Sequence, residues 1–349
     1  GALFAEHTGR GRVLIVRDPR ESGEELSRAF AEGIARAGGT ALLGGVLPTP
    51  AASHLLREDG LAAGAAVSAS HNPYTDNGIK LLGPDGRKLP EEMELVLEEA
   101  LRQRVEIQAE GGAVEAEAVA RERYLEWLGR DAPDLEGLRV VLDCANGAAS
   151  GVAPEAFANL GAAVEAIGVS PDGRNINEGC GSTHMADLRE AVVEHGYDIG
   201  IAHDGDADRC LAVDAQGNVV DGDQIMAILA VAMRDQGKLA QDTVVATVMS
   251  NLGFKLAMRE QGITTVETGV GDRYVLESMR ANRFNLGGEQ SGHLVLLDYA
   301  TTGDGTLTAL HLLARMAETG QSLAELASVM TALPQMLVNV RGVDRGAVS

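Results

Sequence analysis

Arg12-Val-Leu-Ile-Val-Arg17 is a short apolar run rich in β-branched residues. Helical spacing follows over 24–37 and stops at Gly38-Gly39, so the stretch reads as strand, helix, stop. Residues 40–47 supply another strand, ended by Pro48-Thr-Pro50 ahead of a short helix. The alternation restarts at Arg139-Val-Val-Leu-Asp143, with a helix near 152–160, a strand at 163–167, a helix over 186–195 and a strand at 199–202. It restarts again at Thr243-Val-Val-Ala-Thr247, followed by a helix, a strand at 264–267 and a helix over 273–281. Three such blocks predict three consecutive α/β domains with mixed, largely parallel sheets around a shared active-site cleft. Breaks near Asp131-Ala-Pro-Asp134 and Gln236-Gly-Lys238 divide the chain into domains 1–133, 134–238 and 239–349. Ligands of such sheets gather beyond the carboxyl ends of the strands.

Composition narrows the function. A length of 349 residues suits several domains, each expected to bury its own core. With 45% hydrophobic but only 3% aromatic residues and 43 glycines, the cores must be built from small and aliphatic side chains. A formal net charge of -22 argues against a nucleic-acid partner, because such binding neutralises phosphates with Lys and Arg. No run approaches the length of a membrane span, and the N-terminus has no signal-peptide pattern. Cys144, Cys180 and Cys210 are odd in number, far apart and without a CxxC, which indicates neither a disulfide framework nor a zinc site and fits a reduced cytoplasm. Nothing in the sequence indicates a homo-oligomer.

Three loops carry chemistry. Val67-Ser-Ala-Ser-His-Asn-Pro73 follows an apolar run and leads to Lys80, so Ser70 has a neighbouring His71 or Lys80 as base; the alternative is an Asn-Pro turn whose hydroxyls satisfy backbone donors. In His203-Asp-Gly-Asp-Ala-Asp-Arg209, Asp204, Asp206 and Asp208 alternate just after a buried strand. Carboxylates that close repel unless a cation sits between them, and hard oxygen donors suit Mg²⁺ or Ca²⁺. An EF-hand is excluded, since Arg209 and Ala215 stand where Gly and Glu are required. A solvated acidic turn is the competing reading. Asn285-Leu-Gly-Gly-Glu-Gln-Ser-Gly-His293 sets Glu289 and Ser291 between glycines, where a polyhydroxylated ligand can meet side chains and backbone together. Arg17, Arg20, Lys80, Arg209 and Arg273 all follow predicted strands, a placement that phosphate binding explains.

Together, Ser68-Ala-Ser-His-Asn-Pro73, Asp204-Gly-Asp-Ala-Asp-Arg209 and Gly288-Glu-Gln-Ser-Gly-His293 resemble the signatures of the α-D-phosphohexomutase superfamily, in order and approximate spacing. Pro171-Asp-Gly-Arg-Asn-Ile-Asn-Glu-Gly-Cys-Gly-Ser-Thr-His184 and Gly271-Asp-Arg-Tyr-Val275 are similar to its phosphoglucosamine mutase branch. The resemblance implies that Ser70 carries a phosphoryl group needed for activity. It implies one Mg²⁺ per chain, bound by Asp204, Asp206, Asp208 and the phosphorylated Ser70, and sugar hydroxyls held by Glu289 and Ser291. Arg209 and Arg273 are the expected phosphate grips, and Arg20 an expected catalytic cation. Two family features are not found: the opening F-G-T-D-G-I-R-G strand-loop, and a fourth domain with an Arg-Pro-Ser-Gly-Thr-type loop. The chain is therefore expected to hold three of the family's four domains.

The implied reaction interconverts glucosamine 6-phosphate and glucosamine 1-phosphate through a sugar bisphosphate, feeding UDP-N-acetylglucosamine and cell-wall precursor synthesis. Lys80, with a pKa lowered by neighbouring cations, is the expected general base and His293 the second choice. Phosphomannomutase or phosphoglucomutase activity shares every catalytic residue. An Asp-nucleophile phosphatase is disfavoured because Asp208 stands where its motif needs Thr or Val. A non-catalytic phosphosugar-binding fragment is the remaining reading.

Overall fold

The computed structural model describes residues 1–108, 111–130 and 132–336, so the last part of the expected third domain, 337–349, lies outside the described residues, as does Asp131 of the expected first break. The first unit contains α1 (Ala2–His7), β1 (Arg12–Arg17), α2 (Gly23–Arg36), β2 (Thr40–Val46), α3 (Thr49–Asp59), β3 (Ala63–Val67), β4 (Ile79–Leu82), α4 (Glu91–Arg102) and β5 (Ala113–Ala116). The second contains α5 (Ala120–Gly129), β6 (Arg139–Asp143), α6 (Ala153–Asn159), β7 (Ala163–Ile167), α7 (Ala186–His195), β8 (Ile199–Ala202), β9 (Leu211–Asp214) and β10 (Val219–Val220). The third contains α8 (Gly222–Asp235), β11 (Thr243–Thr247), α9 (Leu252–Glu260), β12 (Thr264–Thr268), α10 (Asp272–Asn282), β13 (Leu286–Gly288), β14 (Leu294–Leu296), α11 (Gly305–Thr319) and α12 (Leu323–Ala327).

Among the described residues the strands form three sheets, ordered β4-β3-β1-β2-β5, β10-β9-β8-β6-β7 and β12-β11-β13-β14. One pattern recurs in all three. A central strand (β1, β6 or β11) lies between two parallel neighbours, and an antiparallel strand returns beside one of them. The chemical loops are the connections into that return strand: 68–78 between β3 and β4, 203–210 between β8 and β9, and 289–293 between β13 and β14. Each therefore leaves the carboxyl end of a parallel strand, where α/β sheets place ligands.

Burial explains why the central strands form. Val13 to Val16 of β1 and Val140 to Asp143 of β6 are buried, as parallel strands covered on both faces require. The largest apolar cluster runs through all three units, joining Leu14, Tyr124, Phe157, Ile225, Phe254 and Leu313. Smaller clusters around Ile15, Val213 and Val245 lie within one unit each. The expectation of separate cores is thus corrected: the units also share one continuous core.

The expected break after 238 leaves α8 with the second unit, but α8 packs on α9, α11, α12 and β13 of the third. It begins in a capping box, with Asp221 accepting from the Gln224 N–H and the Gln224 side chain accepting from the Asp221 N–H. No described helix is long and apolar enough to cross a membrane. Cys144, Cys180 and Cys210 are free thiols.

Candidate active site

Ser70 sits in a turn that its own sequence does not favour. Its φ is 52°, in the left-handed region that a side chain with a Cβ rarely adopts. What holds it there is Arg20, buried at the end of the connection from β1. Its guanidinium donates to Asp18 Oδ2 at 2.9 Å, to the carbonyls of Ser70 at 2.8 Å and Asn72 at 2.9 Å, and to those of Pro73 and Asp76. All five donors are used. Asn177 of the second unit adds a 3.0 Å bond to the same Ser70 carbonyl, and Ser68 Oγ accepts the Ser70 N–H at 2.9 Å. The expectation of a catalytic Arg20 is corrected accordingly: this side chain shapes the serine turn and has no donor left for a substrate.

The turn delivers the Ser70 hydroxyl to the second unit, where Ser70 Oγ donates to Asp204 Oδ2 at 2.5 Å. His71 Nδ1 lies 3.4 Å from the same hydroxyl. The approach requires Gly205, because a Cβ there would stand 2.6 Å from the Ser70 carbonyl oxygen. Ala207 takes a φ of 57°, so the chain reverses between Asp206 and Asp208. The three aspartates are buried, with oxygens all within 4.8 Å of one another.

Buried charge of one sign must be compensated. Lys80 on β4 lies 2.6 Å from Asp206 Oδ2 and 3.5 Å from Asp208 Oδ2, and Thr49 at the start of α3 donates to Asp206 Oδ2 at 2.5 Å. From the third unit, His293 Nδ1 stands 3.6 Å from Asp208 Oδ1. Burial, then Asp208 and Asp206, push the Asp204 carboxyl up to about 7. Burial works the same way on Asp208, but Lys80 and His293 overcome it and hold that carboxyl well below the usual range. Asp206 Oδ1 and Asp208 Oδ1 are buried without a hydrogen-bond partner. Two orphaned hard oxygens facing a cluster of three carboxylates fit a divalent cation such as Mg²⁺.

At Lys80 burial pushes the amine down, but the facing Asp206 and Asp208 carboxylates outweigh that and raise it. His293 is likewise raised, since Asp208 and Asp272 outweigh its burial. His71 moves the other way, lowered by burial and then by Arg209.

The third unit's loop rests on the metal loop through Cys210 N–H to the Gly292 carbonyl at 3.0 Å. Glu289 Oε1 accepts the Gly271 N–H ahead of α10 at 3.0 Å, and Ser291 Oγ has no hydrogen-bond partner. Arg209 stays beside the cluster, its Nε 4.0 Å from Asp208 Oδ1. Arg273 does not join it: the side chain pairs with Glu91 at 3.0 Å and Glu94 at 3.2 Å on α4, tying the third unit to the first. Arg17 is the last residue of β1 and lies 3.7 Å from Glu24. Ser70, His71, Lys80, Asp204, Asp206, Asp208, Arg209 and His293 are thus brought together, whereas Arg20 and Arg273 serve the scaffold. Sequence reasoning missed Thr49, Asn177 and Asp272, the last paired with Lys88 at 2.5 Å and 3.8 Å from His293 Nε2. The Gly271-Asp-Arg-Tyr-Val275 motif offered a signal for Asp272 and the motif over 171–184 one for Asn177; Thr49 had none.

Comparison with known proteins matches the chain to three phosphoglucomutase/phosphomannomutase models: α/β/α domain I over residues 1–107, domain II over 122–217 and domain III over 221–333. The phosphoglucosamine mutases of Kineococcus radiotolerans and Rhodococcus jostii are each 56% identical to it, over 96% and 98% of the chain. Those matches cover 76% and 78% of the relatives' own lengths. Among solved structures, a phosphoglucomutase/phosphomannomutase family protein from Burkholderia thailandensis superposes with a TM-score of 0.86 at 25% identity, over 95% of this chain and 75% of that one.

Proposed function

The chain belongs to the phosphoglucomutase/phosphomannomutase family, and from that premise we propose that it is a mutase interconverting glucosamine 6-phosphate and glucosamine 1-phosphate in the cytoplasm. The observation that carries the reading is the Ser70 hydroxyl, held on a strained turn 2.5 Å from Asp204 at the mouth of the aspartate cluster. The amino-sugar substrate is supported by the 56% identity to two phosphoglucosamine mutases.

In the proposed cycle Ser70 Oγ carries a phosphoryl group. The bond from that phosphorus to Ser70 breaks as a bond to the sugar's free hydroxyl forms; the hydroxyl proton passes to a base, and Ser70 Oγ leaves with the bonding pair and takes up a proton. The resulting bisphosphate reorients and returns its other phosphoryl group to Ser70. Phosphoryl transfer asks for positioning and charge stabilisation more than covalent chemistry. Lys80 and Arg209 supply positive charge beside Asp206 and Asp208, and His71 Nδ1, 3.4 Å from the hydroxyl, is placed to move the proton. Asp204, Asp206, Asp208 and the Ser70 phosphate would hold Mg²⁺, which when bound neutralises the transferring group's charge. Glu289 and Ser291 are the proposed contacts to sugar hydroxyls.

Intact mass before and after incubation with glucose 1,6-bisphosphate should show one added phosphoryl group, and Ser70→Ala should abolish it. Turnover of glucosamine 6-phosphate in that variant should fall at least about a thousandfold, with the melting temperature unchanged. Retained turnover would sink the assignment. Glucose 1-phosphate and mannose 1-phosphate assayed in parallel test the glucosamine preference.

A further inference from the structure

Where all three units meet, the chain forms a cavity of about 480 Å³ that opens to solvent. Its walls come from α3, α5, α8 and α11 and from the segment after β14, and none of the residues described above as belonging to the active site lines it. The volume lies within the range of small-molecule sites, and the lining has the two elements such sites combine, apolar surface and a few polar anchors.

Leu128, Leu229, Leu296, Leu307 and Leu310 supply the apolar surface. Two ring pairs stand among them: His54 stacks on Trp127 with centroids 4.2 Å apart, and Tyr299 tilts against His311 at 4.6 Å. Burial pushes both imidazoles down to about 4, against Glu58 and with nearby Arg charges at His54 and with Lys238 at His311, so at neutral pH they are uncharged aromatic faces. Around them stand Arg57, Arg130, Lys238 and Arg315 against the carboxylates Glu58, Asp298 and Glu318. Arg130 lies 4.0 Å from Glu58 and Arg315 3.4 Å from Asp235, whereas Arg57, beside the Tyr299 carbonyl, and Lys238 have no ion pair among the described residues. Flat aromatic faces beside two cations without carboxylate partners match a ligand that is a planar ring at one end and an anion at the other.

The cavity is also wired to the metal loop. The α3 helix begins at Thr49, which bonds Asp206 through both its N–H and its hydroxyl, and reaches the cavity at His54 and Arg57, about 12 Å further along its axis. The α11 helix begins at Gly305, whose N–H donates to the Ala207 carbonyl, and reaches the cavity from Leu307 to Glu318. Trp127 stacks on Tyr124, whose hydroxyl donates to Asp304 at the cap of α11. We propose that this cavity is an effector site for a nucleoside phosphate, which acts on the aspartate loop by shifting α3 and α11. The effect on turnover rests on the mutase reading; the binding does not.

The test is calorimetric titration of the intact chain with AMP and UMP, using uridine as the base without phosphate and ribose 5-phosphate as the phosphate without base. Trp127, the chain's only tryptophan, reports occupancy of this cavity by its emission. Saturable binding of a nucleoside monophosphate with a change in Trp127 emission is expected, about tenfold or more tighter than either fragment. The exchange of Lys238→Ala together with Arg315→Ala should weaken it about tenfold, with mutase turnover in the absence of nucleotide unchanged. Saturating nucleotide should alter kcat or KM severalfold in the parent and not in the double variant. No saturable binding up to about 5 mM, fragments that bind as well, or indifference to the double substitution would overturn the site. Binding that leaves turnover unchanged would overturn the effector role. A chain that binds nucleotide but turns over no phosphosugar would instead count against the mutase reading.

Discussion

Replacing Arg20 with Ala strips the serine turn of four hydrogen bonds and leaves Asp18 buried with no cation beside it. Removing one partner of a buried pair costs about 3–5 kcal/mol, so Arg20→Ala should show that loss in urea denaturation, and Arg20→Lys should restore little of it because an ammonium cannot span the same acceptors. A loss under about 1 kcal/mol would show that the turn holds itself. Asp304 offers a pH test. Burial raises its carboxyl to about 6, above the usual 3.8, so its contribution to stability is full below pH 3.8 and is lost as pH rises through 6. Asp304→Asn cannot ionise and keeps an acceptor for the Leu307 N–H. Relative to the parent it should gain about 2–3 kcal/mol between pH 4 and pH 8; a constant difference would place the titration elsewhere. At this scale the aspartate triplet was legible because its alternation is written within six residues. Thr49 was not, since it reaches Asp206 from more than 100 positions away and nothing local marks a helix-opening threonine as its partner; Asn177 fell inside the motif over 171–184, but nothing in that motif pointed to the Ser70 carbonyl.

Elements buried on both faces were readable from their apolar runs, and β1, β6, β8 and β11 stand where those runs predict. The return strands were not. β4 carries Lys80 and an exposed Ile79, β9 is four residues long with no alternation in its burial, and β14 is three, so none shows the alternation that announces a strand. The α8 helix is buried around most of its circumference and lacks the polar stripe that marks a helix on a surface. Its start is nonetheless specified chemically by the capping box. Asp221→Ala should cost about 1 kcal/mol, measured by urea titration, and Asp221→Ser should recover most of it. An unchanged midpoint for Asp221→Ala would mean that packing alone fixes where α8 begins.

The core shared among the units sets the behaviour of the whole molecule. Apolar contact runs without interruption from Leu14 to Phe254 and Leu313, so no unit can open without exposing part of another's core. A single calorimetric transition, with van't Hoff and calorimetric enthalpies in agreement, is expected; two resolved transitions would show that the units melt separately. The division into units was legible because strand-helix alternation runs in three blocks. Their fusion was not, because an apolar run says that it is covered and not by what. The recurring return strand has a further meaning for how such a molecule can change. The loop 289–293 is anchored at both ends by the pairing of β13 with β14, and its Gly292 and His293 are tied further to Cys210 and Asp208 of the metal loop. It is in effect a socket with one fixed wall. Glu289 to Ser291, the stretch proposed to meet the sugar, can be exchanged while the sheet keeps its register, whereas Gly292 and His293 answer to the metal loop.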